Sequence, residues 1–205
     1  MKKLLAILSS VALLSIGSNA NAALITSSDI SSLDIFPPSG WTSMNTAALF
    51  DGVAPTGGPT SGRFVGFRNS GDALSSAAPF DIAITFNGLK NISSFGLHND
   101  WGTLFQQEVS TIELSGYGVS GLLLASESLS GLATGNFAPS VFSLSSFAGQ
   151  DIQTLVVSIT GITTTNFEIR EIDIEAQAAQ VSAPSSVGMM LMLGSALFIR
   201  RKLQK

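Results

Sequence analysis

Cysteine is absent from the 205 residues, and histidine occurs once, at position 98. The first absence excludes disulfides, thiol nucleophiles and cysteine zinc sites. The second excludes any metal centre built on several histidines. A Ser-His-Asp triad would have to use His98, and no nucleophile-elbow sequence accompanies it. Basic residues are scarce where they would matter most. Lys2, Lys3, Arg200, Arg201, Lys202 and Lys205 sit at the two ends, leaving Arg63, Arg68, Lys90 and Arg170 between them. All 14 acidic residues fall from Asp29 to Glu175, so four positive charges face fourteen negative ones and the middle carries −10, against −4 for the whole chain. Such a body repels phosphates, which argues against a nucleic-acid partner. The middle also lacks sustained helical periodicity and any repeat of solenoid length.

The two ends are built differently. Lys2 and Lys3 precede an apolar stretch over residues 4–16, then Gly17-Ser18-Asn19 and Ala20-Asn21-Ala22. Charged start, short apolar core and small residues at Ala20 and Ala22 are the parts of an export signal, with signal peptidase expected to cut after Ala22. The run falls short of the ~17–25 residues of a membrane span; a retained anchor is the alternative. At the other end, residues 177–186 read as a small-residue linker and 187–199 as an uncharged apolar stretch closed by Arg200-Arg201-Lys202. Basic residues stay on the cytoplasmic side, so the body is expected outside and the tail end inside. The division expected is 1–22 signal peptide, 23–176 folded domain, 177–186 linker and 187–205 tail.

The order Val181-Ser182-Ala183-Pro184-Ser185, apolar helix, then Arg200, Arg201 and Lys202 resembles the PEP-CTERM sorting signal, also known as the ice-binding protein C-terminal motif. Val181, Pro184 and Ser185 stand where that signal usually has Val-Pro-Glu-Pro-Ser. The resemblance implies recognition by an exosortase-type membrane protease in a Gram-negative bacterium that makes exopolysaccharide. The body is then inner-membrane-anchored by the tail before processing, and at the cell surface or extracellular after it. A plain, uncut single-span anchor is the alternative. The ice-binding name belongs to the tail: Thr163-Thr164-Thr165 is an isolated cluster, not a repeated threonine ladder.

In the middle, Phe80, Ile82, Ile84 and Phe86 alternate with Asp81, Ala83, Thr85 and Asn87, the period of a half-buried strand. Ile112 and Leu114, Phe142 and Leu144, and Leu155, Val157 and Ile159 repeat it. Phe167 and Ile169 share one parity and Ile172 and Ile174 the other, which predicts a β-bulge at Arg170-Glu171. Turn signals are read at Asn87-Gly88, Ser115-Gly116, Thr134-Gly135-Asn136 and Ala148-Gly149. Trp41 and the phenylalanine-rich strands read as core. Many short strands with regular turns predict an all-β sandwich or barrel.

Ala47-Ala48-Leu49-Phe50-Asp51-Gly52, the strand at 80–86, residues 92–101, 109–116, 155–159 and 167–174 follow one another in an order that resembles the galactose-binding-like, or discoidin-type, jelly roll. The resemblance implies a sandwich that binds sugars or cell-surface ligands through loops at one end and holds a structural calcium. His98, Asn99, Asp100 and Trp101 form the densest polar and aromatic cluster. An indole to stack on and planar hydrogen-bonding groups suit a sugar, and Arg68 and Asn69 are expected to converge on them from another loop. Asp51 and Glu171 are a candidate oxygen pair for calcium; an Asp-Gly turn and a surface glutamate is the alternative. The expected function is non-catalytic: an exported, envelope- or matrix-associated protein binding extracellular polysaccharide. A structural surface protein without a small ligand and a carboxylate-based glycoside hydrolase remain as alternatives.

Overall fold

The structure, a computed structural model, describes residues 22–53, 62–99, 107–132 and 139–178. Ala20, the predicted turn at 134–136, Asp100, Trp101 and the whole sorting motif from Val181 to Lys202 lie outside them. Ten strands follow in chain order: β1 (Ala23–Leu24), β2 (Ile30–Phe36), β3 (Trp41–Met44), β4 (Phe64–Arg68), β5 (Phe80–Asn99), β6 (Val109–Tyr117), β7 (Leu123–Ser130), β8 (Ser140–Ser143), β9 (Ile152–Ile162) and β10 (Asn166–Ala178). Two short 3-10 turns, Ser27–Asp29 and Thr46–Phe50, are the helical elements among the described residues. No helix among them is long and apolar enough to cross a membrane.

The all-β expectation holds, and one strand organises it. The first half of β5 pairs with β2 and β9, and its second half with β8 and β10, all antiparallel. One sheet therefore runs β2-β5-β9-β6-β7 and the other β8-β5-β10-β4-β3, with β1 beside β10. The changeover falls between Thr85 and Lys90, where the β5–β9 register breaks. Asn87-Gly88, read as a turn signal, lies within β5 at this changeover, where the registers show the chain reversing direction as it leaves one sheet for the other. Ser115-Gly116 is not a turn. Gly116 pairs with Ala125 inside β6, and a Cβ there would press on Ile152 and Phe147; the glycine serves close packing, and the chain turns at 118–121 instead.

The registers fix two ends. Lys90 pairs with both Ile152 and Ala178, and Tyr117 with Thr154, so these residues share the end from which the C-terminal tail leaves. At the opposite, distal end, Asn99 pairs with Ile169, and its amide bonds the backbone of Val109 and Leu132.

The inward faces supply one continuous core. Ile82, Ile84, Phe95, Leu97, Ile112, Leu114, Leu155, Val157, Ile172 and Ile174 are all buried, as their alternation requires. The predicted bulge is present: the β5–β10 register slips between Ile169 and Glu171. It places two polar residues in succession while Ile169 and Ile172 both still face inward. Trp41 is core, as expected, within an aromatic cluster where the Phe80 and Phe167 rings lie 5.1 Å apart edge to face. Phe64 touches both rings, and Trp41 Nε1 donates to Asp72 O at 3.4 Å. Gly66 on β4 lies directly under the Phe167 ring, so a Cβ there would overlap it. Gly66→Ala is expected to cost about 1–3 kcal/mol through overpacking, measured by urea unfolding, with Phe167→Leu partly relieving the loss in the double variant.

Candidate functional site

His98 and Asn99, read as part of a loop, are the last two residues of β5 and face opposite ways. Asn99 points inward and is 2% exposed. Its Nδ2 donates to Val109 O at 3.1 Å and Leu132 O at 2.7 Å, and its Oδ1 accepts from Val109 N at 3.0 Å. Those bonds commit the carboxamide to joining three chain segments, so it has nothing to offer a sugar. His98 faces outward, largely buried, with Nε2 at 2.8 Å from Asp173 Oδ2. Asp173 was missed in the sequence; its place opposite Gly96, next to the histidine, emerges only from the register.

Arg68 and Asn69 do not join this pair. Arg68 ends β4, paired with Trp41, while Asn99 lies level with Ile169, the partner of Phe64 at the other end of β4. Four strand positions separate the two levels, about 13 Å. Asn69 is occupied locally: Nδ2 donates to Thr42 Oγ1 at 3.1 Å and its backbone N to Gly40 O at 2.8 Å.

Asp51 and Glu171, 120 positions apart, are brought together. The 3-10 turn at Thr46–Phe50 lies against β10, and Asp51 follows it. Gly52 N donates to Glu171 Oε1 at 3.4 Å, while Glu171 Oε2 is buried with no hydrogen-bond partner. Burial, then the adjacent Asp51 carboxylate, pushes the Glu171 carboxyl up to about 8; the Gly52 N–H opposes the shift and Asp173 adds to it. Two carboxylates in a partly dry site at neutral pH hold either a shared proton or a hard cation. The oxygen without a donor is open to either: a proton shared with Asp51 or a cation between the two carboxylates. Among the described residues no group of three His, Cys, Asp or Glu surrounds one point, so further ligands for calcium would be backbone carbonyls and water.

A concavity among the described residues is not foreseen from the sequence. On the outer face of β3, β4 and β10 lies a cleft of about 810 Å³. Met44, Val65 and Phe67 give it an apolar side, and Asn45, Gln107 and Asn166 supply amides. Arg63 Nε and Glu168 Oε2 form an ion pair of 3.0 Å in its lining, and Asp51 also borders it. Its origin is a break in alternation: Val65 and Phe67 are apolar on the outward side of β4. Asn45 is left-handed, φ 59°, and is the single non-glycine residue with positive φ among those described. Asparagine tolerates that conformation better than most residues. The sequence signals were the outward Phe67 and an asparagine just before Thr46-Ala47-Ala48.

No family model matches the chain, and no curated protein is similar to it. Solved structures are. A mutant of the lectin binding domain of lectinolysin, complexed with Lewis b, superposes with a TM-score of 0.51 at 10% identity, over 75% of this chain and 98% of that one. A Streptococcus pneumoniae fucose binding module, SpX-3, gives 0.50 at 10% identity, over 73% and 97%. The fold is the galactose-binding-like β-sandwich. At these identities the likeness shows the fold and assigns no residue a role.

The carboxylate pair has a measurable signature. Without metal, Glu171 favours its protonated form in the folded state, so its contribution to stability is fully present below pH 4.5 and is lost as pH rises through about 8. Thermal melts in chelator are expected to show that decline, and Glu171→Gln to flatten it. Calcium is expected to raise Tm at pH 8 more than at pH 5, and to leave the Gln variant unchanged.

Proposed function

We propose that this chain is an exported, non-catalytic carbohydrate-binding protein of the bacterial envelope or exopolysaccharide matrix. In this reading signal peptidase removes the first 22 residues, and an exosortase-type protease recognises the tail. The sandwich is what reaches the outside, and calcium between Asp51 and Glu171 tightens the turn beside the cleft. The sequence patterns of the two ends support the export and sorting steps.

The single observation that carries the binding role is the cleft. Its volume lies within the usual ~300–1,000 Å³ of small-molecule sites. Sugar recognition needs an apolar face for ring C–H groups and planar polar groups for hydroxyls. Phe67 and Met44 provide the first, and Asn45, Gln107 and Asn166 the second. The Arg63 charge is matched by Glu168, and Asp51 adds a negative one, so the lining favours neutral over anionic saccharides. Fold kinship with a lectin domain and a fucose binding module supports the same class of ligand.

A panel of neutral oligosaccharides is the direct test. The wild-type chain is expected to bind at least one member. Phe67→Ala is expected to weaken that binding about tenfold through loss of the stacking face, with Tm little changed because Phe67 lies outside the core cluster. Absence of binding to every member, or full binding by the Phe67 variant, defeats the assignment.

A further inference from the structure

The turn joining β6 to β7 is a small apolar spike. Val119 is 76% exposed, Leu122 64% and Leu123 50%, grouping three of the exposed large hydrophobic residues within five positions. Isolated exposed apolar residues are ordinary, whereas a group of them on one projection marks an interaction site. The spike is ordered: Gly118 N donates to Leu122 O at 3.0 Å, Gly121 N to Gly118 O at 2.9 Å, and Gly121 takes φ +75° to close the turn. No charged residue lies between Glu113 and Glu127.

Its position in the fold decides what covers it. Tyr117, at the base of the spike, pairs with Thr154, at the end where Lys90 pairs with Ala178. The apolar turn and the exit of the C-terminal chain thus share one end of the sandwich. Leu24 of β1, paired with Glu175 towards the same end, is 51% exposed. From Ala178 to the apolar stretch beginning at Val187 is nine residue steps, about 30 Å at full extension. A tail set in a bilayer therefore keeps this end of the body close to the lipid.

We propose that the β6–β7 turn is a lipid contact, with Val119, Leu122 and Leu123 entering the interfacial zone of the membrane that holds the tail. The inference rests on the reading of the tail as membrane-inserted. A projecting, uncharged tip suits a bilayer, which accepts isolated apolar side chains, better than a helix, which needs a groove. The body is acidic, and Lys90, the basic residue at this end among those described, is paired with Asp29 at 2.8 Å. Zwitterionic phospholipid is therefore the expected partner, held by apolar insertion and not by charge. Three aliphatic side chains bind weakly alone; tethering by the tail raises their effective concentration.

Because the chain has no cysteine, Val119→Cys and Thr165→Cys each carry one fluorophore without background labelling. Thr165 is exposed in the β9–β10 turn at the distal end. The full chain is reconstituted with phosphatidylcholine vesicles and probed with lipid-borne nitroxide and aqueous iodide. Support is flotation with the vesicles, at least fivefold stronger nitroxide quenching at position 119 than at 165, and about a tenfold loss of tip partitioning for each leucine changed to serine at 122 and 123. A chain that floats while position 119 is as open to iodide as 165 overturns this proposal and leaves the tail reading standing. A chain that does not float overturns both. Shielding of position 119 that appears without lipid and grows with protein concentration assigns the tip to a second copy and also overturns it.

Discussion

The passage of β5 from one sheet into the other is the constraint from which the geometry follows. Its first half gives hydrogen bonds to β2 and β9, and its second half to β8 and β10. Both sheets are therefore registered against the same chain. The core forms between two halves of one strand, so the inward parity of each half must be correct at once. Ile82, Ile84 and Phe86 satisfy it on one side of the changeover, and Phe95 and Leu97 on the other, with Ile92 brought inward by the register shift between it and Ser94. Polar outward residues at positions such as Thr85 and His98 then fall where they do by alternation.

The carboxylate pair shows how this frame sets up chemistry. The bulge in β10 shifts parity so that Glu171 sits beside Asp51 while Ile172 stays in the core. A regular strand with Ile169 facing the core would turn Glu171 inward as well. The site is thus a local irregularity held in place by regular structure on either side, a common arrangement where a sheet must re-aim a side chain. Its cost is a buried carboxylate oxygen that only a proton shared with Asp51 or a cation would satisfy.

Much of the fold was legible because burial on one face writes itself into period-two alternation. Phe80 to Phe86, Leu155 to Ile159 and the parity change around Arg170-Glu171 were readable for that reason. Asn87-Gly88 does mark a reversal, from one sheet to the other, while Ser115-Gly116 misled because glycine has more than one physical use. Gly116 lies inside a strand, where its missing side chain admits Ile152 and Phe147. The meeting of Asp51 with Glu171 was suggested by family resemblance, since separation along the chain carries no distance. His98-Asn99 looked like a binding cluster because polar residues were adjacent, yet adjacent residues in a strand face opposite sides. The cleft is not legible in the sequence because its apolar wall belongs to the outward face of β4, a strand too short to show an alternation. Asp100, Trp101 and the sorting motif lie outside the described residues.

The thirteen-residue β10 ends at Ala178, and its neighbours β5 and β4 lie on both sides of it. A pull on the tail while the opposite end is held runs along that strand. The ladder bonds on its two sides then carry the load together, in shear, instead of opening one after another from a free edge. Resistance to such a pull is set by how fast the strand can slip, not by how stable the body is at rest.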